Sequence, residues 1–122
     1  MYSSNFKPEE NILYTRWEGK ITKQNILDYF EFLSRHDELP RHLRSISLIN
    51  SVSIDFDIAE VEELAGMFKA TLQKFKTMRT ALVTDQPLPA AYSTMYKSMT
   101  EAFPNYKVEV FARESLARNW LA

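Results

Sequence analysis

KVEVFARESLARNWLA, residues 107–122, is the stretch that decides the fold. Val108, Val110 and Phe111, set around Glu109, read as a strand that passes almost without a loop into a short helix. That helix carries Leu116, Ala117, Trp120 and Leu121, with Trp120 expected to anchor the end of the core. Working back toward the N-terminus, the same strand–helix pairing recurs. Ala81, Leu82 and Val83 form a strand closed by Asp85-Gln86-Pro87, followed by a helix over 88–102 with Leu88, Tyr92, Met95 and Met99 on its buried face and Tyr96 off it. Ile46, Leu48 and Ile49 form a short strand. After a polar stretch over 50–56, Asp57 caps a helix whose Ile58, Val61, Leu64, Ala65, Phe68, Leu72 and Phe75 make one apolar stripe. Acids early and lysines late in that helix suit its dipole.

The first third of the chain adds a hairpin and one more strand–helix unit. Tyr2–Phe6 and Ile12–Trp17 are β-prone, and the Pro8-containing gap between them suits a turn. Gly19 is expected to break the chain before Thr22, which caps a helix to about Arg35 with Ile26, Phe30 and Leu33 on one face. A charged loop, Asp37–Arg44, follows. The fold class expected is therefore α/β: an opening β-hairpin, then four strand–helix units in a mixed, mostly parallel sheet wrapped by helices. With 122 residues, no linker and no low-complexity tract, one domain over 1–122 is expected.

Four segments of this pattern resemble the SpoIIAA-like group of the STAS superfamily. They are Trp17-Glu18-Gly19-Lys20-Ile21-Thr22, Ser47-Leu48-Ile49-Asn50, Thr80-Ala81-Leu82-Val83-Thr84-Asp85, and the closing Val108–Phe111 strand with Ala117–Leu121. The resemblance implies a SpoIIAA-like (STAS) fold and a regulatory or protein-interaction module. Antagonists of that superfamily carry an Asp-Ser-Ser/Thr-Gly stretch whose hydroxyl is phosphorylated at a helix N-terminus. The corresponding Ser51-Val52-Ser53-Ile54-Asp55-Phe56-Asp57 lacks that order and the glycine, and its two aspartates repel a phosphate. A kinase-switched role is not expected.

Composition excludes more than it assigns. Net charge is −1, which argues against a general grip on nucleic acid or anionic lipid. The absence of cysteine removes disulfides, thiolate metal sites and thiol nucleophiles. No apolar run approaches the ~20 residues of a membrane span, and no leader is read at the N-terminus, so a cytoplasmic location is expected. His36 and His42, near Asp37 and Glu38, match no metal-ligand spacing, and no cofactor is expected. Arg35, Arg41, His42 and Arg44, with Lys69, Lys74, Lys76 and Arg79, are the basic groups, but no aromatic residues interleave them to stack bases.

No Gly-x-Ser-x-Gly, phosphate loop or dinucleotide fingerprint is present, so the chain is not expected to be an enzyme. The candidate binding positions follow the strand ends, where α/β sheets present ligand crevices: Asn50, Ser51 and Ser53 after one strand, Asp85 and Gln86 after another. Two functions follow. One is a non-enzymatic module acting through a protein partner or as a homodimer, for which Leu27 and Phe32 at the margin of the first helix offer apolar surface. The alternative is binding of a small apolar or lipid-like ligand between helix and sheet, under the Tyr92, Met95, Tyr96 and Met99 stripe. A hydrolase using Ser51 or Ser53 would need a base within reach.

Overall fold

The computed structural model describes all 122 residues, Met1–Ala122. In chain order the elements are β1 (Tyr2–Lys7), β2 (Ile12–Thr22), α1 (Lys23–Arg35), β3 (His42–Asp55), α2 (Ile58–Leu72), β4 (Thr77–Val83), α3 (Pro87–Thr100), β5 (Tyr106–Phe111) and α4 (Glu114–Leu121). The strands form one sheet in the order β1-β2-β3-β4-β5, with β1 antiparallel to β2 and the other neighbours parallel. When successive parallel strands are also spatial neighbours, right-handed crossovers put every connecting helix on one face. Accordingly α1, α2 and α3 pack side by side, and their Tyr29, Leu33, Phe68 and Leu72 join Leu13, Trp17, Leu43 and Tyr106 in the larger core. Helix α4 has no further strand to reach. It folds onto the other face, where Ala117 and Leu121 meet Ile12, Ile46, Ala81 and Val83.

Local chemistry sets the element ends. Asn11 takes φ 59°, which Asn tolerates, and closes the hairpin by donating its N–H to the Lys7 carbonyl. Thr22 and Asn25 form a reciprocal cap: Thr22 Oγ1 accepts from the Asn25 N–H at 3.1 Å, and Asn25 Oδ1 accepts from the Thr22 N–H at 3.0 Å. The Asp57 N–H donates to Glu60 Oε1 at the start of α2. Pro87 occupies the first turn of α3, where its missing N–H costs nothing.

Several boundaries differ from expectation. Strand β3 runs fourteen residues, from His42 to Asp55, rather than the short 46–49 segment, and takes in both the end of the charged loop and most of the polar 50–56 stretch. Parallel pairing with β2 sustains it, because Gly19 does not break the chain but lies inside β2 with φ +69°. Trp17 pairs with Ile49 and Gly19 with Val52, so β3 carries one extra residue at Asn50-Ser51. That bulge restores alternation: Leu43, Ser45, Ser47 and Ile49 face the helices, and so do Val52 and Ile54 after it. Helix α2 ends at Leu72, leaving Phe75 buried beyond it.

Two expected packing faces are also corrected. The inward face of α3 is Pro89, Ser93, Tyr96 and Thr100, with the half-buried Tyr92 at its margin, one position round from the expected Leu88, Tyr92, Met95 and Met99 stripe; Leu88 is 55% exposed. On that face the Tyr96 hydroxyl bonds the Tyr106 hydroxyl, and its ring meets Phe68 edge-on. In α4 the sealing residues are Ala117 and Leu121, while Trp120 is half-buried. Its ring lies 4.5 Å from the Arg79 guanidinium, which donates to the Trp120 carbonyl, and Arg44 donates to the Leu121 carbonyl at 2.6 Å. Two arginines from the amino ends of β3 and β4 thus satisfy the orphan carbonyls of the last helix. The Phe32 margin of α1 is absorbed by Tyr2 and Tyr29.

Candidate functional site

The middle of the helix-covered sheet face is built from small hydroxyl residues. Register places Leu13, Ser45, Thr80 and Val108 in one row across β2 to β5, and Thr15, Ser47 and Leu82 in the next. Buried parallel strands are ordinarily rich in Val, Ile and Leu. Here β3 inverts that habit: Ser45 and Ser47 point toward the three helices, and Ile46 points toward α4. Large side chains arch over these small ones without filling the space. The result is a cavity of about 150 Å³ between sheet and helices. Its walls include Ile26, Tyr29, Phe30 and Leu33 from α1, Leu64 and Phe68 from α2, and Pro89, Tyr92, Ser93 and Tyr96 from α3.

Sixteen of the twenty-one lining residues are hydrophobic, and none of the others is charged. The polar groups are hydroxyls, and most are paired with one another. Ser45 and Thr80 share a hydrogen bond at 2.9 Å, Thr15 donates to the Tyr29 hydroxyl at 3.2 Å, and Tyr96 and Tyr106 meet at 3.2 Å. Burial pushes the Tyr106 phenol up to about 12 and raises Tyr29 and Tyr96 above their ordinary range, so all three stay neutral donors at physiological pH.

Ile26, Ile49, Ile54 and Tyr92, four of the half-buried lining residues, lie toward the carboxyl ends of the strands. There β3 overhangs β4, whose last pairing is Val83 with Leu48. Two side-chain bonds tie the overhang to the start of α3. Gln86 Oε1 accepts from the Val52 N–H at 3.1 Å, and the Tyr92 hydroxyl donates to the Phe56 carbonyl at 2.8 Å.

Of the positions expected from the sequence, Asn50, Ser51, Asp85 and Gln86 come together. They line a polar crevice of about 510 Å³ with Arg16, Arg113 and Glu114. Ser53 does not join them. The bulge carries it onward along β3 beside Lys20, on the solvent side of the overhang. Ser51 holds the bulge with φ 56°, an uncommon conformation for a residue other than glycine. Gln86 is occupied in satisfying the bulge's Val52 N–H.

The histidines lie at the other end of the sheet. His42 opens β3, nine residues or about 30 Å of strand from Ser51. It bonds Thr77, while His36 accepts from the Glu38 N–H. Neither serves as a base for Ser51 or Ser53. No group of three or more His, Asp or Glu side chains is placed to hold a metal ion. Of the basic groups, Lys74 donates to the Leu33 and His36 carbonyls, and Arg35 pairs with Glu31. No helix is long and apolar enough to cross a membrane.

A family model described as SpoIIAA-like matches residues 12–122, nearly the whole chain. The chain belongs to the SpoIIAA-like family. Among solved structures it is similar to an uncharacterized protein from the DUF3478 family with a SpoIIAA-like fold, from Shewanella loihica PV-4. The TM-score is 0.62 at 15% identity, covering 100% of this chain and 93% of that one. No curated protein matches this chain. The SpoIIAA-like fold implied by the Trp17–Thr22 step and the closing strand–helix unit is the fold observed.

Cavity residues Ser45, Ser47, Thr80 and Ser93 were not among the expected site positions. A signal for part of the set exists: alternation in Leu43-x-Ser45-x-Ser47-x-Ile49 puts serines on the same face as Leu43 and Ile49. The bulge is written as a three-residue step between Ile49 and Val52 where two are due.

Proposed function

We propose that this SpoIIAA-like chain is a non-enzymatic binding module, one domain over 1–122, whose working site is the cavity between the sheet and α1–α3. The observation that carries the reading is an apolar space of about 150 Å³ floored by serines and threonine. An engineered apolar cavity of that size takes up benzene. Ligand pockets are typically apolar with a few oriented polar groups, and this one has that character. Titrating isotope-labelled protein with benzene should shift the Ile49, Val52 and Tyr92 amides saturably. No saturable shift at any of them would end this reading.

Action through protein contacts is the second reading, favoured by the polar strand-end crevice that joins Arg16 and Arg113 to Asn50, Ser51 and Asp85. If those contacts are to a second copy, light scattering should give the mass of a dimer, and Asp85→Lys should reduce it to a monomer. A monomer at all concentrations counts against self-association.

A further inference from the structure

We infer that the cavity selects an uncharged, ring-sized molecule bearing a single hydroxyl, a phenol, over a bare hydrocarbon or an aromatic acid, and that Ser93 meets the hydroxyl. The inference rests on the cavity being the binding site.

Size and charge set the first limits. A volume of about 150 Å³ admits one six-membered ring, and the aromatic walls from Tyr29, Phe30 and Phe68 suit one. No charged side chain lines the space, so a carboxylate inside would be an unpaired buried charge, which is strongly disfavoured. Phenol, like the tyrosine side chain, is neutral at pH 7.

Ser93 supplies the preference for a hydroxyl. A buried helical serine usually returns its hydroxyl to the carbonyl four residues back. In this chain the exposed Ser34 and the buried Thr100 both bond back in this way, to the Phe30 and Tyr96 carbonyls at 3.0 and 3.1 Å. Ser93 is equally helical and only 6% exposed, yet it makes no hydrogen bond to protein and lines the cavity. Ser47, 4% exposed, lines the opposite wall. A hydrocarbon would leave the Ser93 hydroxyl unpaired, whereas a phenol can accept from it or donate to it.

Benzene, phenol and benzoate are titrated at pH 7 into wild type and Ser93→Ala, followed by amide shifts, with a thermal melt to check folding. Alanine suits a helix interior, so the variant should fold. Benzene and phenol should saturate and benzoate should not. Ser93→Ala should weaken phenol about fivefold to tenfold, the worth of one buried hydrogen bond, and leave benzene within about twofold. Saturable benzene without phenol, equal effects of Ser93→Ala on both, or saturable benzoate would each overturn the phenol assignment and leave the apolar-cavity reading standing. Failure of both benzene and phenol would remove the two together.

Discussion

Replacing Ser47 by valine should make the protein more stable and its cavity less receptive. The side chain is 4% exposed and faces the cavity from the centre of the sheet. Valine puts two methyl groups where one hydroxyl stood, in a strand where β-branched residues are favoured. Each additional buried carbon contributes about 0.8 kcal/mol. Two such carbons in place of one hydroxyl amount to about 1–2 kcal/mol. A 122-residue chain unfolds with an entropy of about 0.26 kcal/mol/K, so each 1 kcal/mol moves the melting temperature about 4 °C. The expected rise is therefore about 4–8 °C by calorimetry, accompanied by at least a tenfold loss of benzene affinity. A melting temperature that falls would mean the space is already filled. A stabilised variant that binds benzene undiminished would mean the ligand sits elsewhere. Small residues retained where larger ones would stabilise are a common signature of a site kept open for function.

Other expectations test the frame around the cavity. Arg79→Ala removes a charge-assisted bond to the Trp120 carbonyl and the guanidinium stacked on its ring, and should cost about 2–4 kcal/mol in urea unfolding; a change below 0.5 kcal/mol, on the order of ordinary surface substitutions, would contradict this role. Gln86→Ala orphans the Val52 N–H at the bulge and should cost about 1–3 kcal/mol, with the Val52 amide exchanging faster while Ile46 does not. Glu109 accepts from Lys97 at 2.8 Å, which, with the Val110 N–H, holds its carboxyl below the ordinary 4.5. A depressed carboxyl stabilises the fold above its unfolded-state value and loses that contribution as pH falls through the folded one. Wild type should therefore outmelt Glu109→Gln at pH 7, with the gap closing below about pH 4.5; a gap that widens on acidification would be the wrong sign.

Much of the architecture was legible because it is written in short-range signals. The Thr22 and Asp57 caps, the apolar stripe of α2 and the recurring strand–helix pairs are patterns a few residues long, and each specifies its element wherever it lies. The polar crevice was partly legible for the same reason: Asp85 and Gln86 follow the end of β4, and Asn50 and Ser51 sit beside that end, although at a bulge within β3 rather than after it. Ser53 was misplaced because a single bulge shifts every residue beyond it. The rotation of α3 escaped because the apolar Leu88, Tyr92, Met95 and Met99 stripe is the stronger local signal, whereas the face that packs carries Ser93 and Thr100 and is joined through Tyr96 to Tyr106 and Phe68.

The amino-acid sequence by itself determined the order of elements, the mixed parallel sheet and the absence of thiol chemistry, since periodicity, caps and composition act locally. Tertiary structure alone decided that Ser45, Ser47, Thr80 and Ser93 stand around one unfilled space, and that Arg44 and Arg79 close the last helix. An empty volume is the difference between what several distant segments could fill and what they do fill. No single stretch of chain encodes it.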